Sequence, residues 1–247
     1  MPSEVAHLVD TDQTFPVIRL SGVLDPAAAP AVRSALIDVL AGQPEALVVD
    51  VERLRPADAG SAGVLTEVAA ENAAWPATRM VLAVNGADGW ADTGLPLYAD
   101  RGDALDTLGP AHPDDRRELD LEPVTGAARR ARELVTAACT GWGCADLADS
   151  ATIVVTEMVN NVVAHARTPM TVLLSRQGRT IRVAVRDRSG HTPRFTGPVA
   201  PTSYGGRGLL LIDAVADRWG SLALPHGKIV WAQLSEAAER IPDAPRG

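Results

Sequence analysis

Between residues 15 and 108, short apolar runs alternate with stretches whose apolar residues recur every three or four positions. "PVIRLSGVL", "ALVVDV" and "RMVLAV" are runs of the first kind and predict strands. "DPAAAPAVRSALIDVLAG" lies between the first two and places Val32, Leu36, Ile37 and Leu40 on one face, which predicts a helix. Asp25 is its expected N-cap and Pro26 its expected first helical residue. Val64, Leu65, Val68, Asn72 and Trp75 mark a second helix, with Asn72 an imperfect member of the stripe. This alternation predicts an α/β half, a sheet with crossover helices. "LGPAHPDDRRE" then concentrates proline and charge and reads as a linker. Beyond it the order changes. A strand at "RELDLEP" leads to helices over roughly 124–141 and 146–166, then strands at "MTVLLSRQ" and "TIRVAVRD". A Gly/Pro-rich loop, a helix from Arg207 and strands around "GSLAL" and "KIVWAQL" follow. Helices before neighbouring antiparallel strands predict an α+β two-layer sandwich. The expected domains are residues 1–108 and 117–240, joined by a linker over 109–116.

Composition narrows the classes. With 247 residues, 46% of them hydrophobic, the chain can bury two ordinary cores. A net charge of −8 argues against a nucleic-acid partner, and no apolar run approaches a membrane span. The two cysteines, Cys139 and Cys144, lack the spacing of a zinc pair and are expected to be reduced thiols of a cytoplasmic protein.

The chemistry concentrates after residue 150. In "TEMVNNVVAHA", Glu157, Asn161 and His165 stand four apart, so a continuous helix would carry them up one polar stripe. Val155, Met158, Val159, Val162 and Ala166 would pack on the opposite stripe. "VAVRDRSG" ends an apolar strand on Asp187, followed by Ser189 and Gly190. An acid there can accept from a polar ligand edge, although alone it reads equally as a solvated turn. "SYGGRGLLLIDAVADRWG" feeds glycines into a helix start, where backbone N–H groups can meet phosphates. Taken in order, the three features point to a nucleotide site.

This half, about residues 117–236, resembles the GHKL (Bergerat-fold) ATP-binding family, and within it the anti-sigma-factor serine kinases and related actinobacterial ATP-binding regulators. The motifs that carry the resemblance are "ATIVVTEMVNNVVAHA", "VRDRSG", "GGRGLLLIDAVADRWG" and "GKIVWAQL". It implies a two-layer α/β sandwich that binds ATP and Mg²⁺. Glu157 would be a general base or water-orienting carboxylate, and Asn161 would give its amide oxygen to Mg²⁺. His165 would lie near the phosphates or serve as a helix-end residue. Asp187 would bind the adenine amine, with Gly190 beside it, and Gly206, Arg207 and Gly208 would line the phosphates. The chain departs from the family at His191, where a glycine is common, and at Ile229, where a threonine hydroxyl commonly supports the aspartate.

Residues 15–108 resemble a STAS domain, the fold of anti-sigma-factor antagonists, through "VIRLSGVLDPAAAPAVRSAL", "ALVVDVERL" and "DAGSAGVL". Asp58 matches the acid that precedes the usual phosphoacceptor, but Ala59 and Gly60 stand at the two hydroxyl positions. Ser61 falls one place late and is expected as an N-cap. The resemblance implies a partner-switching regulator whose partners are a sigma factor or a STAS-domain antagonist. The tethered STAS half would dock where a free antagonist does, and a homodimer is a further expectation. A non-catalytic interaction scaffold is the alternative. A sensor histidine kinase is not expected, because His112 sits in the proline-rich linker rather than on a helix.

Overall fold

The computed structural model describes residues 5–58, 60–86, 89–190 and 207–235. The chain divides into two compact units, Met1–Pro113 and Asp114–Gly247.

The first unit is a five-stranded sheet in sequential order: β1 (Ala6–Asp10), β2 (Val17–Leu24), β3 (Ala46–Pro56), β4 (Arg79–Ala83) and β5 (Leu97–Tyr98). β1 is antiparallel to β2, and the other neighbours are parallel. The parallel pairs require crossovers, and α1 (Ala29–Leu40) and α2 (Gly63–Ala74) supply the first two. Val32, Leu36, Ile37 and Leu40 are all buried, as their spacing predicts. On another face, α3 (Arg101–Leu108) closes a core of Phe15, Val17, Ala46, Val48, Val81, Ala83, Ala104 and Leu108.

Two local expectations change. Asp25 caps a turn rather than the helix: its Oδ1 accepts from the N–H groups of Ala27 and Ala28 at 3.0 and 2.9 Å. The helix itself starts at Ala29, with Pro30 rather than Pro26 in its first turn. Asn72 leaves the apolar stripe because its amide clamps the turn after α2, donating to Thr78 O and accepting from Thr78 N.

The second unit stacks α4 (Ala127–Gly141), α5 (Ala148–Asn161) and α6 (Arg207–Val215) on one face of an antiparallel sheet. Its strands are β6 (Arg116–Leu121), β7 (Met170–Gln177), β8 (Thr180–Asp187), β9 (Arg218–Leu224) and β10 (Gly227–Ser235), in the order β6-β7-β8-β10-β9. Side chains alternate along each strand, so Ile181, Val183 and Val185 of β8 meet Val155, Met158 and Val159 of α5 in one core. Cys139 and Cys144 are free and buried, and burial, with Cys144 nearby, pushes the Cys139 thiol up to about 11.

The stretch read as a linker is held by contacts on both sides of Pro113. His112 N–H donates to Glu45 Oε2 at 2.8 Å within the first unit. Within the second, the Trp142 indole donates to Asp114 O at 2.6 Å and Arg176 Nε to Asp115 at 2.9 Å. Among the described residues, no helix is long and apolar enough to cross a membrane.

Candidate functional site

The polar stripe of the second unit is not one continuous α-helix. α5 ends at Asn161, and Val162–Ala166 form a π-turn, closed where Arg167 N–H donates to Val162 O at 2.7 Å. Arg167 then takes a left-handed conformation, φ 55°. A π-turn holds more residues per turn, so the four-residue spacing no longer places His165 as it would on a continuous α-helix. Glu157 and Asn161 are half-buried, whereas His165 is exposed. Single π-turns of this kind recur at functional sites.

Asp187 ends β8 on the helix-facing side, in phase with Ile181, Val183 and Val185, and is only 2% exposed. Across the ladder it pairs with Met170 of β7 on one flank and Lys228 of β10 on the other. Ser189 N–H donates to Asp187 Oδ1 at 2.7 Å, and Lys228 Nζ donates to the same oxygen at 3.0 Å. Lys228 Nζ also lies 2.8 Å from Oδ2, yet Oδ2 accepts no aligned hydrogen bond. The ammonium therefore balances the charge of the carboxylate while one of its oxygens keeps an unmet acceptor.

That geometry corrects the expectation placed on Ile229. Lys228 faces Asp187, and Ile229 pairs with Arg186 on the opposite face. A hydroxyl at 229 would point away from the acid, because side chains alternate along a strand. Sequence reasoning missed Lys228 and Gly227. The signal available was the phase of Lys228, in step with the inward Val230, Ala232 and Leu234.

Two glycines are required by close approach. Gly227 has φ 145°, and a Cβ there would run into the carbonyl of Asp187 and the Cα of Arg188. The start of β10 thus lies directly against the backbone that presents the acid. At Gly208, in the first turn of α6, a Cβ would stand 2.7 Å from Glu157 Oε2. The Glu157 carboxylate consequently lies beside a helix N-terminus, where N–H groups lack intrahelical partners and the dipole favours negative charge. Gly190 is exposed, and a Cβ there would meet nothing. Arg207 opens α6, and Gly206 and His191 lie outside the described residues.

The residues present suit a purine nucleotide. Asp187 Oδ2 is a buried acceptor whose near neighbour, the Lys228 ammonium at 2.8 Å, is not aligned for a hydrogen bond, so an exocyclic amine can donate to it. Close packing of Gly208 on Glu157 joins the carboxylate of α5 to the helix start that the glycine-rich segment feeds. Asn161 offers an amide oxygen, the hard donor that Mg²⁺ prefers.

In the first unit, Asp58 precedes the start of α2 beside a cavity of about 560 Å³ lined by Asp25, Arg33, Ser61, Val64 and Glu67 among others. Asp58 Oδ1 accepts from Gly60 N–H and from the Ser61 hydroxyl, both at 2.9 Å. The expected N-cap role of Ser61 is not what forms: α2 starts at Gly63 with Ala62 as its N-cap residue. Ser61 is 8% exposed, and its hydroxyl proton goes to Asp58.

Comparison with known proteins agrees with this division. Residues 119–234 match the family described as histidine kinase-like ATPase domain, and residues 7–88 match the family described as Mlab, STAS domain. The chain therefore joins a STAS domain to a histidine kinase-like ATPase domain. Among solved structures it is similar to an anti-sigma factor antagonist from Mycobacterium paratuberculosis, at 25% identity and a TM-score of 0.38, over 44% of this chain and 97% of that one. It is also similar to the RsbU and RsbW domains of a Mycobacterium tuberculosis protein, at 17% identity and a TM-score of 0.38, over 51% of this chain and 32% of that one. No curated protein sequence matches.

Proposed function

We propose that the second unit binds Mg·ATP and that the chain works as a partner-switching regulator, with a sigma factor or a separate STAS-domain antagonist as its protein partner. The observation that carries the nucleotide reading is the buried, unmet acceptor of Asp187, set at a strand end within the matched ATPase segment. In this reading Asp187 accepts the adenine amine, with Gly190 following it in the strand-end loop. Asn161 gives its amide oxygen to Mg²⁺, while Gly206, Arg207 and Gly208 approach the phosphates. His165, displaced by the π-turn, acts at the rim of the site. Magnesium, when bound, would neutralise phosphate charge. Glu157 is the general base for transfer to a serine hydroxyl, a role worth about 10²–10⁴-fold in rate.

Calorimetric titration of the full chain with ATP, with and without Mg²⁺, tests the site. Magnesium-dependent binding that Asn161→Ala abolishes is the expected result, and no binding in either condition would sink it. Transfer is tested separately with Glu157→Gln and a serine-bearing STAS protein. The variant should keep ATP and lose phosphate incorporation by at least about 100-fold.

A scaffold reading has one observation in its favour. The first unit carries Gly60 where a phosphoacceptor would stand, and Ser61 is tied to Asp58. This supports a STAS domain that binds a partner without being switched by phosphate at the usual position. Equal partner affinity of wild-type chain and Glu157→Gln, with no phosphate incorporated by either, is the outcome that would establish it.

A further inference from the structure

We infer that Lys228 is a second base-reading residue, which donates to the ring acceptor beside the exocyclic amine that Asp187 takes. The inference rests on the nucleotide reading above and assigns a role to a residue that reading did not use. Four observations carry it. Lys228 is 8% exposed, an uncommon place for an ammonium. It lies directly across the ladder from Asp187, on the helix-facing side. Its Nζ reaches both carboxylate oxygens, at 3.0 and 2.8 Å, but makes an aligned hydrogen bond to Oδ1 alone. Gly227, immediately before it, lets β10 lie against the Asp187 backbone, which fixes acid and cation as one unit.

The chemistry follows from the distance between Nζ and Oδ2. Any group that donates to Oδ2 also comes beside the ammonium, because those two atoms are 2.8 Å apart. An ammonium has three N–H donors and no acceptor. The aligned bond to Oδ1 uses one, which leaves donors for a neighbouring acceptor. The edge of adenine offers that pair side by side, an amine donor on C6 and the N1 acceptor bonded to the same carbon. Asp187 and Lys228 together match it as acceptor and donor. A lone aspartate would require only the amine. Met170, on the other flank of Asp187, adds an apolar side chain rather than a competing polar group.

The test compares ATP with 1-deaza-ATP, in which a C–H replaces N1, by calorimetric titration of the full wild-type chain. A lost charge-assisted hydrogen bond should weaken 1-deaza-ATP by about 10- to 100-fold relative to ATP. Lys228→Met should bind the two nucleotides alike, and Lys228→Arg should restore a preference for ATP. The wild-type comparison decides even if a variant folds poorly. Equal binding of both nucleotides by wild type overturns the role of Lys228. If purine riboside triphosphate, which lacks the amine, is then still discriminated against, the nucleotide reading stands without it. Failure of wild type to bind ATP at all overturns both.

Discussion

Asp58 and Asp187 make an instructive pair. Each stands just beyond or at the end of a strand and is followed closely by glycine and serine, and in the sequence they look alike. Asp58 is exposed and its Oδ1 is saturated by its own chain, through Gly60 N–H and the Ser61 hydroxyl. Asp187 is buried, and one of its oxygens has no aligned donor. Solvent can satisfy whatever the chain leaves open at Asp58, whereas a buried acceptor must find a partner or cost about 1–3 kcal/mol. Burial, more than residue type, separates an acid that closes a turn from one that asks for a ligand.

The comparison breaks most visibly if Asp187 is removed. Asp187→Ala leaves the Lys228 ammonium buried without its partner, which should cost about 3–5 kcal/mol, beyond any loss of nucleotide. Denaturant unfolding of the second unit without nucleotide would read this. Asp58→Ala should cost less, because Gly60 N–H is exposed to water and the partner left buried, the Ser61 hydroxyl, carries no charge. Equal losses at the two positions would refute the distinction. Next in size is Gly227→Ala. A side chain at φ 145° strains the backbone by about 1–3 kcal/mol, and its clash with the Asp187 carbonyl should add a loss of ATP affinity. Gly208→Ala should behave differently. The obstructing atom is the mobile end of Glu157, so the fold should survive while the carboxylate moves and any phosphate transfer falls.

The parts of the fold that follow a strong hydrophobic period were legible. β7 and β8 match the runs "MTVLLSRQ" and "TIRVAVRD", and the buried face of α1 is the one its spacing predicts. β1, β5 and α3 were not read. β1 is an edge strand with four of its five residues exposed, β5 has two residues, and α3 is eight residues long with a weak apolar face. Among the candidate residues, Glu157, Asn161 and Asp187 stand out in the sequence because they interrupt apolar patterns at motif spacing. The π-turn that displaces His165 has no such mark, since an i, i+4 pattern reads the same until its hydrogen bonds are seen. Lys228 was missed because the pairing partner of a strand residue depends on register, which only the folded sheet reveals.

A smaller effect probes the closed acid directly. Ser61→Ala removes one hydrogen bond from Asp58 and should lower the stability of the first unit by about 0.5–1.5 kcal/mol. Wild-type chain incubated with ATP should take up no phosphate at Ser61, by mass spectrometry, because that hydroxyl is buried and donating. Phosphate there would show that the loop around Asp58 opens readily and that the two acids are less different than their geometry says.

Glu45 supplies a third case between the two, and the smallest effect. Burial pushes its carboxyl up, but the hydrogen bonds from His112 N–H and the His112 ring, with the charges of His112 and Arg79, outweigh it and hold the group below its ordinary 4.5. The sign follows from linkage. A carboxyl that titrates lower in the folded chain adds stability above its unfolded pKa and loses it as the pH falls through the folded one. Glu45 is partly open to solvent, so screening keeps the contribution modest. Protection of the β3 and β4 amides, relative to their intrinsic exchange rates, should fall between roughly pH 5 and pH 3 more in wild type than in Glu45→Gln, which has no proton to gain. His112→Ala should shrink the difference, since two of the three hydrogen bonds to the Glu45 carboxylate come from that residue. An acid limb unchanged in both variants would mean that the contact of His112 with Glu45 does not help hold the first unit together.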